Sequence, residues 1–471
     1  MKLGALIGSG DDTPVTGFAI DHRKVAPGTV FGAFAGAKFN GEDFIADAIR
    51  SGAVAVVARP GATIEGAVHV KAEEPREAFA RLAAAFFAPF PRTVIAVTGT
   101  NGKTSNVELV RQLWRMAGHP SASIGTLGVT TSDEQVSTGL TTPDIVTFLS
   151  NMAGMAKMGI THAAFEASSH GLSQYRTEGL PVQAAAFTNF TRDHLDYHGT
   201  MEAYFEAKMR LFTEVVADDG TAVIWMDDPR SEQVLALCRA RGLKTITVGT
   251  KGEDLRLVSR TPTQLGQKMI IEAAGTQHQV TLALIGAYQA ANALTAAGLT
   301  IATGGELKQT LANLARVHPV RGRLERAVIT RAGAPIYVDY AHTPDAIEAA
   351  VEALRPHTTS RLITVFGAGG DRDVGKRPQM GEVAARLSDL VIVTDDNPRS
   401  EDPAAIRRDI LAGAPGAREV PGRREAIKAA VAEAGPGDII LLAGKGHEQG
   451  QIVGDQVLPF DDVTVARECA A

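Results

Sequence analysis

A β-branched run, Thr93 to Val97, empties into Thr98-Gly99-Thr100-Asn101-Gly102-Lys103-Thr104-Ser105, which predicts a strand ending in a glycine loop that opens a helix. That succession calls for a sheet whose strands are joined by helical crossovers, so an α/β fold is expected. The loop also suits a nucleoside triphosphate. Gly99 and Gly102 let backbone amides approach phosphate oxygens, Lys103 brings a point charge to the β and γ phosphates, and Thr104 offers a hydroxyl to Mg2+. Val97 stands where a standard Walker loop carries glycine, which disfavours the ordinary kinases and GTPases. The bland alternative is a glycine turn that merely opens a helix.

At 471 residues the chain exceeds one ordinary core, and a prior of about 150 residues per domain suggests roughly three. Lysine plus arginine number 47 against 53 acids, a formal charge of −6, which gives no electrostatic footprint for a nucleic acid. The two cysteines, Cys238 and Cys469, match no metal spacing and are expected to be inert thiols in a reducing compartment. The apolar stretch Leu3 to Ile7 is too short for a signal-peptide core, and no segment approaches a membrane span, so a cytoplasmic protein is expected.

The segment to about residue 90 carries short strand candidates such as Val54 to Ala58, and reads as a small N-terminal α/β domain. From residue 91 to 325 the pattern alternates helices with apolar strands at His162 to Ala167, Ala184 to Phe190, Ala222 to Met226 and Thr245 to Val248. This predicts a central P-loop ATPase-like domain on a mainly parallel sheet. Alternating segments over Leu255 to Leu284 predict one antiparallel edge, and an alanine-rich helix follows from about Tyr288. From residue 326 to 471 strand candidates recur at Ile336 to Val338, Leu362 to Phe366, Leu390 to Thr394 and Ile439 to Leu442, as in a Rossmann-like domain.

Glu166 ends an apolar strand, and His194 stands in Asn189-Phe190-Thr191-Arg192-Asp193-His194-Leu195-Asp196 just past another. A carboxylate and an imidazole at adjacent strand ends can hold Mg2+ beside the phosphates, although magnesium prefers oxygen; the bland alternative is a pair of turns capped by Asp193 and Asp196.

These residues, with Asp339-Tyr340-Ala341-His342-Thr343-Pro344, Gly369-Gly370-Asp371-Arg372-Asp373 and Gly444-Lys445-Gly446-His447-Glu448, occur in an order that resembles the Mur ligase family across nearly the whole chain. The resemblance implies an ATP-dependent ligase of peptidoglycan synthesis that joins an amino acid to a UDP-linked muramyl peptide through an acyl phosphate. It implies an ATP site over Gly99 to Ser105 with Asn292 against the adenine, and Arg323, Asp339 and His342 reaching the γ-phosphate and ribose. Thr104, Glu166, His194 and a Lys208 carbamylated by CO2 would hold Mg2+. Carbamylation turns an amine into an anionic oxygen ligand; the bland reading of Lys208 is a solvated, acid-paired lysine.

By the same resemblance His22, Ala37, Lys38, Phe39, Thr141, Thr142, Ser168, Gln174 and Arg176 contact the precursor, UDP-MurNAc-L-Ala-D-Glu. His22 departs from the family's usual Asp-Ser-Arg, which reads Asp21-His22-Arg23 here. Thr141-Thr142-Pro143-Asp144 is also a helix-start signal, with Pro143 expected in the first turn. Asp396-Asn397-Pro398-Arg399 matches the motif of members that take meso-diaminopimelate, whose distal carboxylate a planar Arg399 fork can bind bidentately. Arg377, Gly444 and Glu448 would hold the acceptor's other polar groups. A hinge is expected near Arg316 to Ala334, and a monomer is expected. The rivals are a lysine-adding ligase, a folylpolyglutamate or cyanophycin type of ligase, and a phosphate-loop switch or chaperone ATPase that makes no amide.

Overall fold

The computed structural model describes residues 1–36, 39–132, 134–136, 139–263 and 266–471. Its central sheet runs, in spatial order, Thr276–Leu282, Gly266–Ala273, Leu255–Thr263, Lys244–Gly249, Val216–Trp225, Val182–Phe187, Thr93–Thr98, His162–Glu166, Ser121–Gly125, Gly128–Thr130 and Gln135–Val136. The middle strands are parallel and covered on both faces, which is why they read as unbroken alanine, valine and isoleucine. Their carboxyl ends open on one rim, and there the Gly99 loop, Glu166 and the Thr188 to His194 segment emerge.

The antiparallel edge predicted over residues 255–284 is present. A second one is present at the opposite side, where Ser121–Gly125, Gly128–Thr130 and Gln135–Val136 pair antiparallel. The sequence pattern gives no sign of it, because these strands are very short and the outermost is solvent-exposed.

The N-terminal sheet holds four parallel strands, Gly17–Ala19, Thr29–Gly32, Ala53–Ala58 and Val68–Lys71. Helix Pro75–Phe87 starts on a proline at its first turn, buries Phe79, Ala80, Ala83 and Ala84, and packs on helix Ile145–Lys157 of the central domain. One apolar cluster therefore runs from Leu3, Phe18 and Phe79 through Phe148 and Met152 to Phe165 and Phe187. Helix Ile145–Lys157 is capped by Asp144, which accepts from Val146 N and Thr147 N. Pro143 thus lies before the cap rather than in the first turn, since the Asp144 carboxylate takes the orphan amides.

The C-terminal sheet runs Glu325–Ile329, Pro335–Asp339, Ile439–Ala443, Leu362–Phe366, Leu390–Val393 and Arg418–Glu419, parallel except for the first strand. Alternate residues feed separate clusters on its two faces, Tyr337, Phe366 and Leu441 on one and Ile336, Val365 and Leu442 on the other. A hairpin, Gly450–Val453 with Gln456–Pro459, stands apart from that sheet. Among the described residues no helix is long and apolar enough to cross a membrane.

Candidate functional site

The phosphate loop is held from the neighbouring strand end. Gly99 has a φ of 147°, and a Cβ there would stand 1.9 Å from Thr188 Oγ1, so a side chain is excluded. Asn101 N donates to Asn189 Oδ1 at 2.8 Å, and Thr188 Oγ1 donates to Asn101 O at 2.6 Å. Lys103 Nζ donates to the Gly99 and Thr100 carbonyls, at 2.8 Å each. Lys208, on helix Met201–Arg210, brings its Nζ to Gly99 O at 2.8 Å and over the Tyr204 ring. Lys208 is 1% exposed, and burial, with Lys103 beside it, holds its amine well below the usual lysine range.

Glu166 is buried, its Oε1 accepting from Thr126 N at 2.7 Å and its Oε2 from Thr126 Oγ1 at 3.2 Å. His194 sits in the left-handed region, φ 53°, 3.5 Å from the Asp193 carboxylate, and burial holds its imidazole far below the ordinary range. Thr100, Lys103, Thr104, Glu166, His194, Lys208, Arg323 and His342 all line one cavity of about 130 Å³. Among the described residues no three His, Cys, Asp or Glu side chains gather as a metal-binding group. Any cation there therefore needs oxygens from elsewhere.

Beside this cavity lies another of about 380 Å³, lined by Asn101, Gly102, Ser105, Trp225, Tyr288, Asn292, Arg323, Asp339 and His342. Asn292 is held at both ends of its amide, since its Oδ1 accepts from Asn106 Nδ2 at 3.0 Å and its Nδ2 donates to Gln289 Oε1, one turn back on the same helix, at 3.3 Å. Arg323, from the segment between central and C-terminal sheets, donates from Nη2 to Thr104 Oγ1 at 2.9 Å and lies over the Tyr340 ring. Asp339 accepts from Leu324 N and Ala341 N, and burial raises its carboxyl to about 6. His342 Nδ1 contacts Tyr340 O at 2.8 Å, and burial lowers its imidazole to about 4.

A cavity of about 370 Å³ opens between the two larger sheets. Thr141, Thr142, Ser168 and Arg176 line one side, and Asp396, Asn397, Arg399, Gly444 and Glu448 the other. Thr142 Oγ1 donates to Glu166 O and Ser168 Oγ, and Arg176 Nη1 donates to Thr142 O, so the precursor-side residues form one linked group. Gln174 is outside the lining. Its amide is spent on the Tyr197 hydroxyl and on Arg176.

On the acceptor side the structure corrects one expectation. Arg377 is 1% exposed and turned away from the cavity, its Nη1 on Asp409 at 2.9 Å and its Nη2 on Glu401 at 2.8 Å and on Gly369 O at 3.3 Å. A buried guanidinium must pair with carboxylates, and these two hold its terminal nitrogens while Nε is left without a hydrogen bond, so Arg377 braces the Gly369 loop. Arg399 behaves differently. Its Nη1 donates to Gly370 O at 2.8 Å, and its backbone is left-handed, φ 53°. The hairpin grips that backbone: Arg399 N donates to Ile452 O at 3.0 Å, and Gly454 N donates to Arg399 O at 2.7 Å. Pro398 serves as backbone support, its carbonyl accepting from Glu401 N.

The N-terminal cavity, about 620 Å³, is lined by His22, Phe39, Phe44 and Arg76 among others. His22 stacks on Phe44 with centroids 4.4 Å apart, and Phe39 is 72% exposed. Ala37 and Lys38 lie outside the described residues. Several site residues escaped the sequence reading. Asp193, Tyr340, Arg372 and Lys376 lie within or beside the motifs yet line the cavity unassigned, and Thr126, which orients Glu166, carried no signal at all.

Residues 14–111 match the Mur ligase family catalytic domain, 97–300 the Mur ligase middle domain, and 322–446 the Mur ligase glutamate ligase domain. The chain belongs to the Mur ligase family. Among its relatives, the UDP-N-acetylmuramoyl-L-alanyl-D-glutamate--2,6-diaminopimelate ligase of Zymomonas mobilis is 62% identical over 461 residues, 97% of this chain and 95% of that one. The protein of the same name from Caulobacter vibrioides is 50% identical over 96% of this chain and 94% of its own. A solved structure of a ligase with that name superposes with a TM-score of 0.72 at 31% identity, covering 100% of this chain and 98% of the other. The Thermotoga maritima MurF ligase, solved with ADP, shares the Mur ligase fold at a TM-score of 0.63 and 20% identity, covering 97% of each chain.

Proposed function

We propose that this Mur ligase joins meso-diaminopimelate to UDP-MurNAc-L-Ala-D-Glu at the expense of ATP, through an acyl phosphate, in peptidoglycan synthesis. The observation that carries the reading is that the precursor-side and acceptor-side residues line one cavity. That cavity shares Thr141, Ser168, Asp193, His194, Tyr340 and His342 with the phosphate cavity. Acid, phosphoryl group and amine can then meet at one point.

A carboxylate is a poor electrophile and hydroxide a poor leaving group. Attack of the precursor's carboxylate oxygen on the γ-phosphorus expels ADP and leaves an acyl phosphate. The acceptor's amine then forms the C–N bond through a tetrahedral intermediate, and the C–O bond to phosphate breaks with loss of the amine proton. Lys103 and Arg323 offset the charge shared between nucleophile and phosphoryl group. Closure of the two domains on the bound precursor would keep water from the acyl phosphate.

Thr104, Glu166 and His194, with a carbamate on Lys208, would hold Mg2+. A lone carboxylate with an imidazole suits magnesium poorly, and a carbamate would supply the missing anionic oxygens. Lys208 fits that change, since carbon dioxide reacts with a neutral amine and burial shifts this one toward its neutral form. When bound, the ion would neutralise phosphate oxygens.

The domain limits we assign are 1–90, 91–325 and 326–471, with the hinge between Arg316 and Ala334. His22, Phe39 and their neighbours would take the UDP end of the precursor. The test is phosphate release with ATP and UDP-MurNAc-L-Ala-D-Glu, comparing meso-diaminopimelate with L-lysine. Dependence on diaminopimelate that vanishes in Arg399→Ala supports the reading; equal rates with lysine remove the acceptor assignment. Turnover indifferent to both amino acid and precursor removes the ligase.

A further inference from the structure

Behind the acceptor wall lies a fully buried lysine. Lys445 has no exposed surface, and its Nζ donates to Asn397 Oδ1 at 3.0 Å and to Glu448 Oε2 at 3.1 Å, with Asp396 Oδ1 at 3.6 Å. All three partners face the cavity, whereas Lys445 itself is not part of its lining. Gly444 before it has a φ of 113°, and a Cβ there would stand 2.5 Å from Asp396 Oδ2, so the chain passes tightly beneath the carboxylates.

The hydrogen bonds define an orientation. Asn397 Oδ1 accepts from Lys445 Nζ and from Ile452 N at 3.0 Å, which turns its Nδ2 to Glu448 Oε2 at 2.8 Å. Glu448 Oε2 therefore accepts twice within the wall, on a side chain that lines the cavity. Charge follows the same logic. Asp396 and Glu448 bring two negative charges, and Lys445 cancels one of them. The deeper Arg423–Asp462 pair, 2.6 Å apart and fully buried, balances itself. Around Asn397 the side chains of Asp396, Glu448 and Lys445 together carry about one net negative charge, which suits an ammonium, while Arg399 on the same wall supplies the positive charge that suits a carboxylate.

We infer that Lys445 is a positioning residue for the amino-acid acceptor: it fixes the rotamers of Asn397 and Glu448 and sets the charge that receives the acceptor's ammonium. This rests on the reading that the cavity takes the incoming amino acid. Without Lys445, Asp396 and Glu448 repel each other and the Asn397 amide loses the partner that fixes its orientation.

The experiment measures initial rates of the full-length wild type, Lys445→Met and Lys445→Gln, varying ATP, precursor and amino acid in turn. Wild-type turnover is first screened against meso-diaminopimelate and L-lysine, and the better acceptor is used throughout. Lys445→Met is expected to raise the acceptor KM at least tenfold while both other KM values stay within twofold. Lys445→Gln keeps a donor for Asn397 Oδ1, folds with less disturbance, and is expected to raise the acceptor KM by a smaller factor. A parallel rise in all three KM values, or an unchanged acceptor KM in whichever variant folds, overturns the inference. Preference for L-lysine in the wild type would overturn the diaminopimelate assignment and leave Lys445 open to the same measurement. Absence of amino-acid-dependent turnover would overturn both.

Discussion

The central domain meets its two neighbours through surfaces of opposite character. Toward the N-terminal domain the contact is core: Phe79, Ala80 and Ala84 share one apolar cluster with Phe148, Met152 and Phe165. Toward the C-terminal domain and the hinge that leads to it the contact is more polar, with Arg323 on Thr104, Gln289 Nε2 on Arg323 O and Gln112 Nε2 on His318 O along the hinge, Arg192 facing Asp373 at 3.7 Å across the boundary, and Ile285 and Tyr288 packed against the C-terminal apolar cluster. Apolar contact resists sliding, whereas hydrogen bonds can be traded for water at little net cost. The first joint holds the domains together, and the second holds the reactants.

The most severe way to break this contrast is to hollow the apolar joint. Phe148→Ala should cost about 3–5 kcal/mol of stability, read as a fall in chemical-denaturation midpoint. If the folded fraction keeps wild-type KM values for ATP, the joint is structural only; a large ATP KM change would erase the distinction. Cutting the polar joint should act the other way. Arg323→Ala is expected to lower kcat by roughly 100- to 1000-fold with a nearly unchanged melting temperature, and activity within threefold of wild type would remove Arg323 from the reaction.

Acid should discriminate between the joints. Burial lowers His342 to about 4 and His447 to about 3, and both lie at the polar junction. Opening would return them toward about 6.5, so the open form binds protons that the closed form refuses. Closure is favoured above pH 6.5 and weakens as pH falls toward 4. Small-angle scattering from pH 7.5 to 5 should show a growing radius with unchanged far-ultraviolet dichroism, and a constant radius would contradict this sign. The smallest effect belongs to Arg192→Ala. Its guanidinium is half-exposed and 3.7 Å from Asp373, so less than about 1 kcal/mol is at stake, and a larger shift in melting temperature would mean that this rim pair helps to fasten the joint.

The parallel strands were legible in sequence because burial on both faces leaves runs such as Val94-Ile95-Ala96-Val97 and Ala184-Ala185-Ala186-Phe187, whereas the apolar joint depends on which helices meet and was not. The phosphate loop was legible because Gly99 has no steric alternative. What stayed hidden depends on partners distant in the chain. Arg377 and Arg399 look alike in sequence, and it is Glu401 and Asp409 that claim the first. Lys445 looked like one letter of a glycine motif until Asn397, 48 positions earlier, was found above it. The 450–459 hairpin was missed since its strands are half-buried or exposed and give no apolar run.

That hairpin carries a historical consequence. It clamps residue 399 in a twist that costs an ordinary side chain about 1–2 kcal/mol, so the backbone is bent in advance for the arginine it displays. A descendant that exchanged only this arginine would inherit the contortion without its purpose. Changes of diet in such a lineage should therefore arrive as paired edits, one in the loop and one in the ribbon that grips it.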